Sequence, residues 1–276
     1  MAQPSVETAP IWRWQTRWRL RGDDRDAILS REILLVLGIQ LGQSAIYSIV
    51  SIIATLTETR SLSQETTTLN TSPAPGRPLL SLVLKLLELG FALVPPLLAL
   101  YLLNRDRDWS PSTQPVLQRL GLGGKRWRFD VGTGFGLAAV IGIPGLLLYL
   151  GARALDLNTT VAAANLTEWW AGPVLVLAAA VNGFLEEVVV VGYLLVRLRQ
   201  TGWGVAAAVA ASALLRGSYH LYQGFGGFVG NVVMGVVFAL FYLRTKRLWP
   251  LVIAHTVLDT VAFLGYTLLH NHVSWL

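Results

Sequence analysis

Along most of this chain, long apolar stretches alternate with short polar connections that often carry arginine. A run of about 20 apolar residues is the length of helix that crosses the hydrocarbon core of a bilayer. Runs of that kind lie near 33–56, 79–103, 131–152, 172–196, 204–222, 227–244 and 248–269. The pattern predicts an all-α, polytopic transmembrane helix bundle of about seven membrane helices, six to eight depending on where the weaker runs are cut. The fourth, fifth and sixth runs are short or carry charge, so one of them is expected to be broken or tilted.

Charge then orients the bundle. With the N-terminus inside, the cytoplasmic pieces hold six Arg before the first helix, six Lys or Arg between 104 and 130, Arg197 and Arg199, and Arg244, Lys246 and Arg247. The opposite side holds only Arg60, Arg77 and Arg153. By the positive-inside rule the N-terminus is expected in the cytoplasm and the C-terminal tail, His270-Asn271-His272, outside. Residues 1–31 carry Trp12, Trp14 and Trp18 among arginines but no apolar core of a signal peptide, so insertion is expected to rely on the first spanning helix. That segment reads equally as a headgroup-lying stretch or a basic tail. The connection from Glu58 to Pro78, rich in Ser, Thr and Pro, reads as a flexible external loop without chemistry. Gly132-Thr-Gly-Phe-Gly136 and Gly226-Gly-Phe-Val-Gly230 suit close helix packing in lipid.

Composition agrees and excludes. The chain is 53% hydrophobic and 14% charged, against roughly 25% charged in an ordinary soluble domain. Its net charge of +6 sits beside apolar runs, which fits a membrane rather than a nucleic acid as partner. With no cysteine, disulfides, zinc-thiolate sites and cysteine nucleophiles are excluded, and any metal must be held by His and carboxylate. Usage rich in Ala, Arg and Gly points to a bacterial plasma membrane.

Three polar intrusions into the apolar runs carry the chemistry. Glu186 and Glu187 stand together in the fourth run with apolar neighbours on both sides. Burying one ionised carboxylate at a helix centre costs about 2.5–3.5 kcal/mol on insertion scales. Two adjacent like charges cannot both ionise easily in low dielectric, so the pair is suited to take and give a proton near neutral pH. Arg216 and His220 lie a turn apart near the end of the fifth run, and His255 and Asp259 share one face of the last helix at i, i+4. Two carboxylates, two histidines and an aspartate on three helices make a hydrolytic or metal-binding set.

These residues resemble the CPBP intramembrane proteases, the family that includes the type II CAAX prenyl endopeptidases and Abi proteins. The family pattern is Glu-Glu-x-x-x-Arg, Phe-x-x-x-His and His-x-x-x-Asn/Asp on successive membrane helices. Here the three read Glu186-Glu187-Val-Val-Val-Val191, Arg216-Gly-Ser-Tyr-His220 and His255-Thr-Val-Leu-Asp259. The match runs from about residue 120 to 266, and the first half is only generically similar. Two positions depart: Val191 stands where the family has arginine, and Arg216 where it has phenylalanine. The expectation is that the cation has changed helices, Arg216 supplying the counter-charge to Glu187.

The resemblance implies peptide-bond hydrolysis within the membrane on a membrane-associated or prenylated-type peptide. In that reading Glu186 is the general base, His220 helps hold the water or its metal, His255 and Asp259 polarise the substrate carbonyl or complete the site, and Glu187 with Arg216 positions the rest. Carboxylate and imidazole suit Zn²⁺, with Glu186, His220 and His255 as its ligands if the reaction is metal-dependent; the residues leave open whether the water is metal-bound. The alternatives are a catalytically inactive scaffold or bacteriocin-immunity-type protein of the same fold, and an ion-coupled transporter using the same Glu and His as a relay. The expected organisation is an N-terminal segment 1–32, accessory helices 33–119 and a catalytic membrane domain 120–270.

Overall fold

In a bilayer the backbone must satisfy its own hydrogen bonds, so apolar runs of this length fold as helices. The computed structural model describes residues 22–106, 114–164, 166, 168–269 and 272. The tryptophan-rich N-terminal segment and His270-Asn271 lie outside the described residues. The helices are α1 (Gly22–Ile39), α2 (Leu41–Leu56), α3 (Pro78–Ala92), α4 (Val94–Arg105), the single turn α5 (Val116–Arg119), α6 (Trp127–Ala154), α7 (Ala171–Glu186), α8 (Leu194–Gln200), α9 (Val205–Ser218), α10 (Phe225–Thr245) and α11 (Trp249–Leu269).

Among the described residues, five helical segments are long and apolar enough to span a bilayer, or six if the bent pair α1–α2 counts as one. Three expected crossings are modified. The run at 33–56 starts earlier, at Gly22, and is bent by 59° where Gln40 leaves helical dihedrals. The run at 79–103 pauses at Leu93, because Pro95 and Pro96 open α4 and cannot donate backbone hydrogen bonds to the turn before them. The run at 204–222 is helical for only 14 residues and closes in a 3₁₀ turn, Leu221–Gln223. The fourth run changes its winding instead of breaking. Between α7 and α8, Glu187–Tyr193 coils as a π-helix inside one 30-residue apolar rod, a departure that in other proteins clusters at functional sites.

The connection after α2 is not the flexible loop that its composition suggests. It folds through a 3₁₀ turn, Leu62–Gln64, into strand β1 (Thr66–Thr68), which pairs in parallel with β2 (Thr160–Ala162) after α6. Ser63 N–H donates to Asp156 Oδ1 at 2.7 Å. That backbone bond, with help from the Ser63 and Ser61 hydroxyls, holds the Asp156 carboxyl below its ordinary range. The polar residues that favour loops here satisfy one another instead of water.

Two ends of the bundle follow from these pairings. At one end Arg197 donates to Glu32 at 2.7 Å and Asp106 at 2.6 Å, and Arg247 pairs with Asp130. This end gathers the start of α6, the last turns of α4 and α8, and the α10–α11 turn. At the other end lie β1, β2 and the His220–Gln223 turn, whose Gln223 carbonyl accepts Thr159 N–H at 2.9 Å.

Candidate active site

Close helix approach brings the polar intrusions together. A Cβ on Gly183 would lie 3.0 Å from Thr256 Oγ1 and 3.1 Å from the Val252 carbonyl oxygen, so a side chain there would make α11 give way, and glycine suits this close approach of α7 and α11. Gly235 does the same for α10 against α9, where a Cβ would be 2.8 Å from the Ala213 Cα. Gly134, from the first glycine run of the sequence, meets Ile253 of α11 in the same manner.

Glu187 is fully buried and has two partners. Its Oε1 accepts the Arg216 Nη2 hydrogen bond at 2.7 Å and that of His255 Nδ1 at 2.8 Å. The Arg216 guanidinium thus lies against the second glutamate, on the helix next to the one where the family carries its arginine. Arg216 is itself fully buried, and its charge lies 5.7 Å from the centre of the Phe238 ring. The second oxygen of Glu187 and the Arg216 Nε find no hydrogen-bond partner among the described residues.

Glu186 faces the other way. Its Oε2 accepts the Tyr219 hydroxyl at 2.6 Å and Arg216 Nη1 at 3.3 Å, and stands 4.0 Å from His255 Nε2. His255 Nε2 is also 3.7 Å from Asp259 Oδ1. His220, at the end of α9, uses Nδ1 to bond the Arg216 carbonyl oxygen at 3.0 Å. Because Nδ1 of both histidines is occupied, Nε2 is the atom each has free for chemistry.

Glu186, His220, His255 and Asp259 line one cavity of about 560 Å³. Glu187 and Arg216 stand behind its wall. Composition and spacing single out neither Tyr219 nor Asn182, both of which line the cavity as well. Asn182 had a signal available: it lies one turn before Glu186 on the same apolar helix, where an amide is costly unless used. Its side chain hydrogen-bonds the Asp259 carboxylate. The α2 helix, placed among the accessory helices by its sequence, supplies a further wall of the cavity through Ser44, Tyr47, Ser48 and Ser51, with Gln40 at the bend before it. The loop expected to be without chemistry contributes Leu69 and Asn70.

Among the described residues no group of three or more His, Asp or Glu side chains is placed to hold a metal ion. Glu186 Oε2 is already taken by a hydroxyl and a guanidinium, and it stands 4.0 Å from His255 Nε2. Two ligands of one tetrahedral zinc at roughly 2.0–2.2 Å stand roughly 3.3–3.6 Å from each other, somewhat closer than this pair.

No curated protein and no solved structure matches the chain. A family model does: residues 168–261 match the type II CAAX prenyl endopeptidase Rce1-like family. The double glutamate, the Arg216–His220 segment and the His255–Asp259 pair all fall inside that match. The segment from α7 into α11, which carries the paired glutamates and both histidines, is therefore similar to the type II CAAX prenyl endopeptidase Rce1-like family.

Proposed function

We propose that this chain is an intramembrane endopeptidase that hydrolyses a peptide bond of a membrane-associated substrate with a water activated by Glu186. The observation that carries this is the pairing of Glu186 Oε2 and His255 Nε2, 4.0 Å apart on the cavity wall, with Glu187 fixing the histidine from behind at 2.8 Å. A carboxylate that accepts the Nδ1–H of an imidazole sets its tautomer and its direction. Glu187 does this for His255, leaving Nε2 to face the cavity.

A water held by Glu186 and His255 gives its proton to Glu186 as its oxygen attacks the scissile carbonyl. The Tyr219 hydroxyl and Arg216 position the Glu186 carboxylate so that its second oxygen points to the water. Negative charge grows on the carbonyl oxygen in this step, and the Asn182 amide on the cavity wall is a neutral donor suited to it. The proton on Glu186 then passes to the leaving amine, completing the hydrolysis. His220, with Nδ1 on the Arg216 carbonyl, presents Nε2 to the same space. The charge balance behind the wall supports an active enzyme over an inactive scaffold: the arginine missing at Val191 is replaced by one that reaches Glu187 at 2.7 Å.

Glu186→Gln tests the reading. Comparison of peptide termini in membranes of cells carrying the wild type or the variant should show products that vanish with Glu186→Gln at unchanged protein abundance. Identical termini in both would favour a scaffold, and altered ion flux a transporter.

A further inference from the structure

The cavity is not equally open to the two sides of the membrane. Glu186 lies 15 residues from the start of α7 and 14 from the end of α8, about 22 Å of helix from either end. Toward the Arg197 end the way is filled: Val188 to Leu195 form an unbroken buried run, packed against Leu41, Leu100, Leu103, Leu120, Leu248 and Leu251. Beyond that plug, Arg197 is clamped by Glu32 and Asp106.

Toward the opposite end the lining continues outward. It runs up α2 through Ser44, Tyr47 and Ser51 to Leu69, Asn70 and Tyr222 at the end where β1 and β2 lie. Ser44, Tyr47 and Ser51 are exposed, and Tyr47 is 68% accessible. Ser48, the buried member of this polar edge, accepts the Tyr222 N–H at 2.6 Å. The edge thus forms a hydrogen-bonding wall on an otherwise apolar helix, opposite Glu186 and His255 and open along its length. Basic residues crowd the plugged end: Lys125, Arg126 and Arg128 at α6, Arg197 and Arg199 at α8, and Arg244, Lys246 and Arg247 at the α10–α11 turn. The open end has Arg60, Arg77 and Arg153. Positive charge marks the cytoplasmic side.

From these observations we infer that the site is served from the non-cytoplasmic side, so that its substrate is a peptide segment at the outer membrane face, the extracytoplasmic juxtamembrane stretch of a membrane-anchored polypeptide, held in extended form along the polar edge of α2. A tail lying in the cytoplasm would have to pass the Val188–Leu195 plug. The substrate class rests on the peptidase reading; the route of access does not, and the test separates them.

The chain has no cysteine, so single-cysteine variants report one position each. Ser44→Cys and Ser51→Cys probe the cavity, Glu58→Cys the loop after α2, and Lys125→Cys the plugged end. A membrane-impermeant maleimide added to intact cells is expected to label the first three and to label Lys125→Cys only after the membrane is opened. Labelling of Ser44→Cys and Ser51→Cys only in opened membranes overturns the inference, as does a reversed pattern for Glu58→Cys and Lys125→Cys. Failure of both cavity positions to react under either condition, in protein that retains its wild-type elution profile in detergent, overturns it as well. Loss of product in Glu186→Gln together with reversed labelling would leave a peptidase that works from the cytoplasm. Outward labelling with identical peptide termini would leave an outward cavity without proteolysis.

Discussion

Replacing Arg216 by methionine removes two hydrogen bonds, at 2.7 Å to Glu187 and 3.3 Å to Glu186, from a guanidinium that no solvent reaches. Glu187, also fully buried, then keeps only the His255 bond on one oxygen and none on the other. Breaking a buried ion pair from one side costs about 3–5 kcal/mol, because the remaining charge is left uncompensated, whereas replacing both partners by apolar groups of similar volume is often nearly neutral. Arg216→Met is therefore expected to destabilise by that amount. The double variant Arg216→Met/Glu187→Leu should regain most of it, less the roughly 1–3 kcal/mol of leaving the His255 Nδ1–H without its acceptor. Both variants should be inactive, the first because Glu187 and Glu186 lose their common cation, the second because His255 loses its orienting carboxylate. Thermal unfolding of detergent-purified protein with a denaturant series measures the stability side, read as a double-mutant cycle. A single variant as stable as the wild type, or a double variant no more stable than the single, would refute the claim that this pair is one charge-balanced unit.

Tyr219→Phe deletes the hydroxyl that donates to Glu186 at 2.6 Å; a hydrogen bond to a charged group is worth about 1.5–3 kcal/mol, so kcat should fall by tenfold or more while the folded fraction stays unchanged. Asp156 has its carboxyl held low by the Ser63 bonds, so its contribution is complete above the ordinary carboxyl pKa of about 3.9 and is lost as pH falls below that value through the lowered folded one. Amide exchange at Ser63 should accelerate in that acid range in the wild type and be already fast at neutral pH in Asp156→Ala. Because no three side chains converge on a metal position among the described residues, proteolysis should survive treatment with a divalent-cation chelator; loss restored by zinc would show that the ligands rearrange.

Much of this molecule is legible in its sequence because the bilayer imposes simple rules. Backbone polar groups cannot be left unpaired in hydrocarbon, so apolar runs of sufficient length are helices, and polar side chains within them are conspicuous. Glu186, Glu187, Arg216, His220, His255 and Asp259 stand out one by one on that ground, and their spacing within each helix follows from 3.6 residues per turn. What linear order does not encode is which side of a helix meets which neighbour. That Glu186 faces the cavity while Glu187 bonds Arg216 and His255 behind its wall depends on π-helical winding from Glu187 to Tyr193 and on the close approach at Gly183. That α2 and the loop after it enclose the cavity depends on a bend at Gln40 and a strand pairing between residues more than ninety positions apart. Local chemistry determined which residues are costly in lipid; long-range packing decided which of them share a wall, because these buried polar side chains find their partners mainly on neighbouring helices.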